Sequence, residues 1–177
     1  HGAGDLEESS EHVLAVEAGR QYLIQEYVDD PDSPVTEVIP YYNLDQDETL
    51  SAAAFMGTGE DASEAAAEYE QRRLDVAGLN GDGDVVVALE AERVNHDVRE
   101  AVVADYDKMA ECGVEEAIWI VMTNADAHTV VEALHDPPEG PPRVEKTYAE
   151  STPTSRFIID TPGLTDITTV GNVLDQL

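Results

Sequence analysis

The sequence predicts one α/β domain in which helices flank a mixed β-sheet. Three observations carry this. An amphipathic helix pattern precedes several β-branched runs, an Asn-Gly-Asp-Gly turn joins two of them, and a strand, helix, strand order follows that demands a parallel crossover. At 177 residues and 42% hydrophobic content, the chain can bury one real core.

Residues 7 to 28 open with Ser9 and Ser10 ahead of Glu11, a helix-start signal, and place Val13, Val16, Tyr22, Leu23 and Tyr27 mostly at helical spacings. Asp29-Asp30-Pro31 ends this helix. Val35 to Tyr42 is β-branched and aromatic, Thr49 to Met56 is a second strand candidate, and Gly57 to Glu70 turns helical at its alanine-rich end. Arg72 to Leu79 and Asp84 to Glu92 form a hairpin around Asn80-Gly81-Asp82-Gly83.

Asn95 or Asp97 caps a helix that runs to Cys112 and is closed by Gly113. Glu116 to Met122, with its run AIWIVM, is a buried strand, and Ala125 to Leu134 a short helix. A Pro-rich loop, Asp136 to Pro142, stops that helix. Val144 to Tyr148 and Arg156 to Ile159 are then expected as edge strands, and Thr165 to Leu177 as a closing helix. No repeat or linker divides residues 1–177, although a helix signal so close to His1 also suits a domain taken from a longer protein.

The 39 acidic residues outnumber the nine basic ones, for a formal net charge of −30. Such a charge repels nucleic acid, whose binding rests on Lys and Arg neutralising phosphates. Yet seven of the nine are Arg, and only Lys108 and Lys146 are lysines, a composition resembling haloarchaeal proteins that work in molar salt. There the Debye length falls to about 3 Å, so net charge says little about the partner. No run nears the roughly 20 apolar residues of a membrane span, and His1 to Ser10 has no signal-peptide pattern, so a soluble, cytoplasmic protein without a membrane partner is expected. The single cysteine, Cys112, forms no internal disulfide.

Chemistry concentrates on the hairpin. With a loop of two or four residues, Asp75 stands opposite Ala88, and Asp75, Glu90 and Glu92 share one face above the apolar residues Val85, Val87, Leu89 and Ala91. Glu90 then lies diagonally from Asp75 at a Cβ separation of roughly 7 Å, close enough for both to hold one hard divalent cation. A three-residue loop would break the alignment. The plainer alternative is a solvated strand face decorated with acids.

The run RRLDVAGLNGDGDVVVALEAE, with a helix before it and the Asn95 helix and AIWIVM strand after it, resembles the PD-(D/E)XK, restriction-endonuclease-like nuclease superfamily over roughly residues 10–135. The resemblance implies an α-β-β-β-α-β core, a Mg²⁺ or Mn²⁺ cofactor, a nucleic-acid partner and phosphodiester hydrolysis by activated water. It makes Asp75 and Glu90 metal ligands and Glu92 a third ligand or outer base, with Glu17 as a further acid from the first helix. The family's lysine position holds Glu92, so His96 becomes a candidate base and Arg73, Arg93 and Arg99 candidate phosphate contacts. The missing lysine also supports a catalytically inactive module that binds nucleic acid or protein.

Other signals carry less weight. Asp160-Thr161-Pro162-Gly163 copies a GTPase DxxG but follows no phosphate-binding loop, so it reads as a turn. His128 and His135 are two potential ligands without a third, and Arg72 beside Arg73 reads first as salt-bridging.

Overall fold

The computed structural model describes residues 9–44, 72–93 and 98–177. The strand expected at 49–56, the helix at 57–70, and Asn95, His96 and Asp97 lie outside the described residues.

Helix α1 (Ser10–Leu23) starts where predicted, with the Ser9 side chain accepting from the His12 amide, and continues as a π-helical stretch, Ile24–Val28. Its buried stripe is Ala15, Val16, Ala18, Gly19 and Leu23, whereas Val13, expected among the buried positions, is exposed with Leu14. Close approach explains this choice. A Cβ on Gly19 would stand 2.8 Å from Leu89 Cδ2, so the face against the sheet must carry small residues.

Five strands follow: β1 (Val35–Asn43), β2 (Arg73–Asn80), β3 (Val85–Glu92), β4 (Glu116–Val121) and β5 (Asp166–Thr169). They lie side by side in chain order. The first three are antiparallel and β3, β4 and β5 are parallel, so the sheet is mixed. Helices α2 (Val98–Cys112) and α3 (Asn124–His135) supply the two crossovers, and α4 (Val170–Leu174) follows β5. Thr123 and Asp126 form a capping box at the start of α3.

Both faces of the sheet are covered. Trp119, Val121, Ala88 and Leu79 pack with Val102 and Met109 of α2 and Val130 and Leu134 of α3. Val76, Val87, Leu89, Ile118 and Ile120 pack on the other side with α1 and α4. This double burial is why β4 reads as a continuous apolar run, and it corrects the expectation of acids on an open, solvated face.

The hairpin differs from expectation in its loop. Asn80 N donates to Asp84 O (2.9 Å), and the Asn80 side chain accepts from the amides of Asp82 and Asp84, closing a three-residue loop with Gly83 at φ 87°. A loop of three shifts the register by one. A β-bulge then opposes Val86 to nothing, since Leu79 pairs with Val85 and Gly78 with Val87, and shifts it once more. Beyond the bulge the two shifts add to an even number, so the faces survive there while each partner moves two places.

The C-terminal part departs from the sequence reading. The β-branched run Ile167 to Thr169 enters the sheet as β5, with Ile167 beside Trp119, so only Val170–Leu174 of the expected closing helix is helical. Val144 to Tyr148 and Arg156 to Ile159 are not strands, and side chains pin the loop at Ile158 and between the two runs. The Tyr148 hydroxyl accepts from Ile158 N and donates to Ile158 O, while Asn124 donates to Thr152 O and accepts from Thr154 N. Among the described residues, no helix is long and apolar enough to cross a membrane.

Gly163 is the tightest point of the second crossover. Its carbonyl accepts from the Trp119 indole (2.8 Å), and an added Cβ would collide with the Tyr106 carbonyl and ring. Backbone cannot swing away as a side-chain tip can. Gly163→Ala is expected to cost roughly 2–3 kcal/mol, read as a lowered urea midpoint. An unchanged midpoint would refute this packing.

Candidate functional site

The register places Asp75, on β2, one rung beyond the Val76–Leu89 pair and level with Glu90 on β3. Asp75 Oδ2 accepts from the Ala91 amide at 2.8 Å, which ties the carboxylate across the strands. Both acids are buried, Asp75 at 8% and Glu90 at 5% exposure, so neither is surface decoration.

The crossover from β3 to β4 must lay α2 over this end of the sheet, and α2 brings a lysine with it. Lys108 Nζ is 2.8 Å from Glu90 Oε1, 2.8 Å from Asp105 Oδ1, and donates to Arg73 O at 2.8 Å. Its side chain is 8% exposed. The contact with Glu90 is an ion pair without hydrogen-bond alignment, so Glu90 Oε1 is a buried oxygen with no hydrogen bond of its own among the described residues.

From the other face, α1 contributes His12. Its Nδ1 is 3.1 Å from Ala91 O and its Nε2 3.3 Å from Asp75 Oδ1. The imidazole thus bridges the Ala91 carbonyl and the Asp75 carboxylate.

Four carboxylates thus gather around one ammonium and one imidazole. Burial pushes the Glu90 carboxyl well above its ordinary range; Lys108 pulls it down, and the charges of Asp75 and Asp105 push it further up. Burial, then Asp105 and Asp75, raise Glu92 from 4.5 to about 8. Burial alone would lower Lys108, but the charges of Glu90 and Asp105 outweigh it and hold the ammonium firmly protonated.

Glu92 gives a pH signature. Between about 4.5 and about 8 it keeps its proton in the folded state and loses it in the unfolded chain. Its contribution to stability is therefore complete below 4.5 and is lost as pH rises through 8, at most about 5 kcal/mol. Urea midpoints of metal-free wild type and Glu92→Gln between pH 5 and 9 should diverge, the variant gaining on wild type as pH rises. Parallel profiles would contradict the burial of this carboxyl.

The other predicted residues are placed as follows. Glu17 lies on the exposed side of α1, bound by Arg20 at 2.8 and 2.9 Å and by Gln21, and these hydrogen bonds lower its carboxyl to about 2. Arg73 reaches the site through its carbonyl, while its guanidinium lies 5.0 Å from the centre of the Tyr41 ring. Arg93 is exposed at the end of β3, and Arg99 is exposed, 3.9 Å from Asp136. His96 lies outside the described residues. His128 and His135 each meet a backbone carbonyl, Thr152 O and Val144 O, and Thr161 to Leu164 is a turn, as the sequence suggests.

Sequence reasoning missed Lys108, Asp105 and His12. A signal existed for the first: Lys108 is one of only two lysines, and it sits on the crossover helix that has to cover β3. Asp105 follows from it as the i,i+3 partner. Nothing local marks His12.

Among the described residues, no three His, Cys, Asp or Glu side chains converge in the geometry of a metal site. No protein-family model, curated protein or solved structure matches this chain.

Proposed function

We propose that this chain is a metal-dependent nuclease, or a nuclease-like DNA-processing domain, that hydrolyses phosphodiesters in high salt. The observation that carries the reading is Lys108 against Glu90. The resemblance to the PD-(D/E)XK superfamily lacked only the lysine, and a buried ammonium stands 2.8 Å from the second acid, delivered from α2 instead of from β3. The element order α1, β1, β2, β3, α2, β4 agrees with the core that the resemblance implies.

The donor set suits a hard divalent cation. Asp75 and Glu90 would hold it, with Glu92 a third ligand or outer base, all three being oxygen donors of the kind such a cation takes. Bound Mg²⁺ or Mn²⁺ would polarise a phosphate oxygen and lower the pKa of water. The residues supply the rest. His12 and the Ala91 amide orient Asp75, and Lys108 holds Glu90 in place while adding positive charge beside the developing phosphate charge.

A second reading, a non-catalytic module binding nucleic acid or protein, is favoured by the absence of three converging ligands among the described residues. The two separate by titration with Mn²⁺ followed by incubation with single- and double-stranded DNA and RNA in molar KCl. Chelator-sensitive cleavage supports the nuclease. Nucleic-acid binding without metal uptake or cleavage overturns it in favour of the module.

A further inference from the structure

We infer that Asp105 is a positioning residue that, together with the Arg73 carbonyl, fixes the Lys108 ammonium on Glu90. The assignment of a catalytic purpose rests on the nuclease reading; the fixing of the ammonium does not.

An ammonium has three protons and no acceptor. Lys108 Nζ has three oxygen neighbours, each at 2.8 Å: Glu90 Oε1 on β3, Asp105 Oδ1 on its own helix and the carbonyl of Arg73 on β2. Three different elements meet at one nitrogen. A flexible four-carbon stem would otherwise leave that nitrogen many positions, because lysine carries large rotamer entropy.

The three oxygens differ in kind: two accept hydrogen bonds and Glu90 Oε1 meets the ammonium as an ion pair. Glu90 is the group acted upon, and the Arg73 carbonyl is backbone locked in the sheet. Asp105 is therefore the one side chain whose purpose at this nitrogen is the lysine itself. It sits one turn before Lys108 on α2, so the helix brings lysine and anchor as a unit, and it is only 27% exposed, so water does not replace it freely. An anchored ammonium holds Glu90 without spending binding energy on its own ordering during the reaction.

The chain has only two lysines, which makes the test clean. Nitrogen-15 spectra of the side-chain ammonium groups should show one slowly exchanging, rigid signal from Lys108 and one mobile signal from Lys146, assigned with Lys146→Arg. Asp105→Asn should turn the Lys108 signal mobile or broaden it away and lower kcat by about tenfold or more, with KM changed less than about twofold. Asp105→Glu should restore part of both. A merely structural residue would lower the melting temperature and leave the rigidity of the ammonium and the kcat to KM split unmoved, and that result overturns the proposal. If wild-type protein cleaves nothing, the nuclease reading falls, and the ammonium signal alone still decides whether Asp105 fixes Lys108: a rigid Lys108 in Asp105→Asn refutes it.

Discussion

Lys108→Met is expected to destabilise the protein by about 3–5 kcal/mol near neutral pH and to remove the proposed cleavage activity. The loss arises less from the missing attraction than from what is left behind. Glu90, 5% exposed, would face Asp75 and Asp105 with no cation beside it. Its carboxyl would have to take up a proton or draw in water. The double variant Lys108→Met/Glu90→Gln, which removes the stranded charge, should regain most of the stability and none of the activity. This cycle separates packing from chemistry. A single variant as stable as wild type in urea would mean that the ion pair is not buried as described, and full cleavage by either variant would remove Lys108 from the proposed mechanism.

Asp75→Asn and Glu90→Gln should each reduce the proposed Mg²⁺- or Mn²⁺-dependent cleavage by roughly 10²–10³-fold or more, since a bound cation would supply several kcal/mol of charge stabilisation and each variant removes a proposed charged ligand. Amide replacements are the informative ones. Alanine at either position would open a cavity among buried polar groups, leaving the Ala91 amide or the Lys108 ammonium short of a partner, and would mix unfolding with loss of function. In Asp75→Asn the new side-chain carbonyl can still accept from the Ala91 amide. In Glu90→Gln the neutral amide escapes the desolvation and the Asp75 and Asp105 repulsion that oppose a buried charge here, and its carbonyl can still face Lys108, so the thermal transition of this variant should fall little. Calorimetric titration with Mn²⁺ should show weakened uptake in both variants. Undiminished cleavage in either would refute its role as a ligand, whatever the titration shows.

Part of this site was legible in the chain. The Asn80-Gly81-Asp82-Gly83 turn and the alternation around it put Asp75, Glu90 and Glu92 together, because strand periodicity is a local property. The route was nevertheless inexact. The loop has three residues, and only the bulge at Val86 restores the faces, a correction that depends on how β3 lies between β2 and β4. The burial of these acids was not legible at all, since a strand read alone cannot say that helices will cover its polar face.

The same limit explains the groups that were missed. His12 is 63 residues from Asp75, and Lys108 is 18 from Glu90, so neither pairing leaves a spacing pattern. Nearness in the chain points to Glu92, Arg93 and the residues just after β3, whereas a crossover helix returns over its own strand only some turns later. In the C-terminal part, Ile167-Thr168-Thr169 read as helix because its neighbours do, and only the vacant place beside β4 made it a strand.

The sequence by itself determined an α/β class, the hairpin, the capped start of the first helix and the shared face of the three strand acids, since each follows from local backbone preference and side-chain period. The tertiary structure alone decided that Asp75 and Glu90 are buried and anchored: His12 arrives from one face, and Lys108 with Asp105 from the other. The physical reason is that a buried carboxylate persists only beside groups that offset its desolvation, and those groups are chosen by packing across the sheet rather than by nearness in the chain.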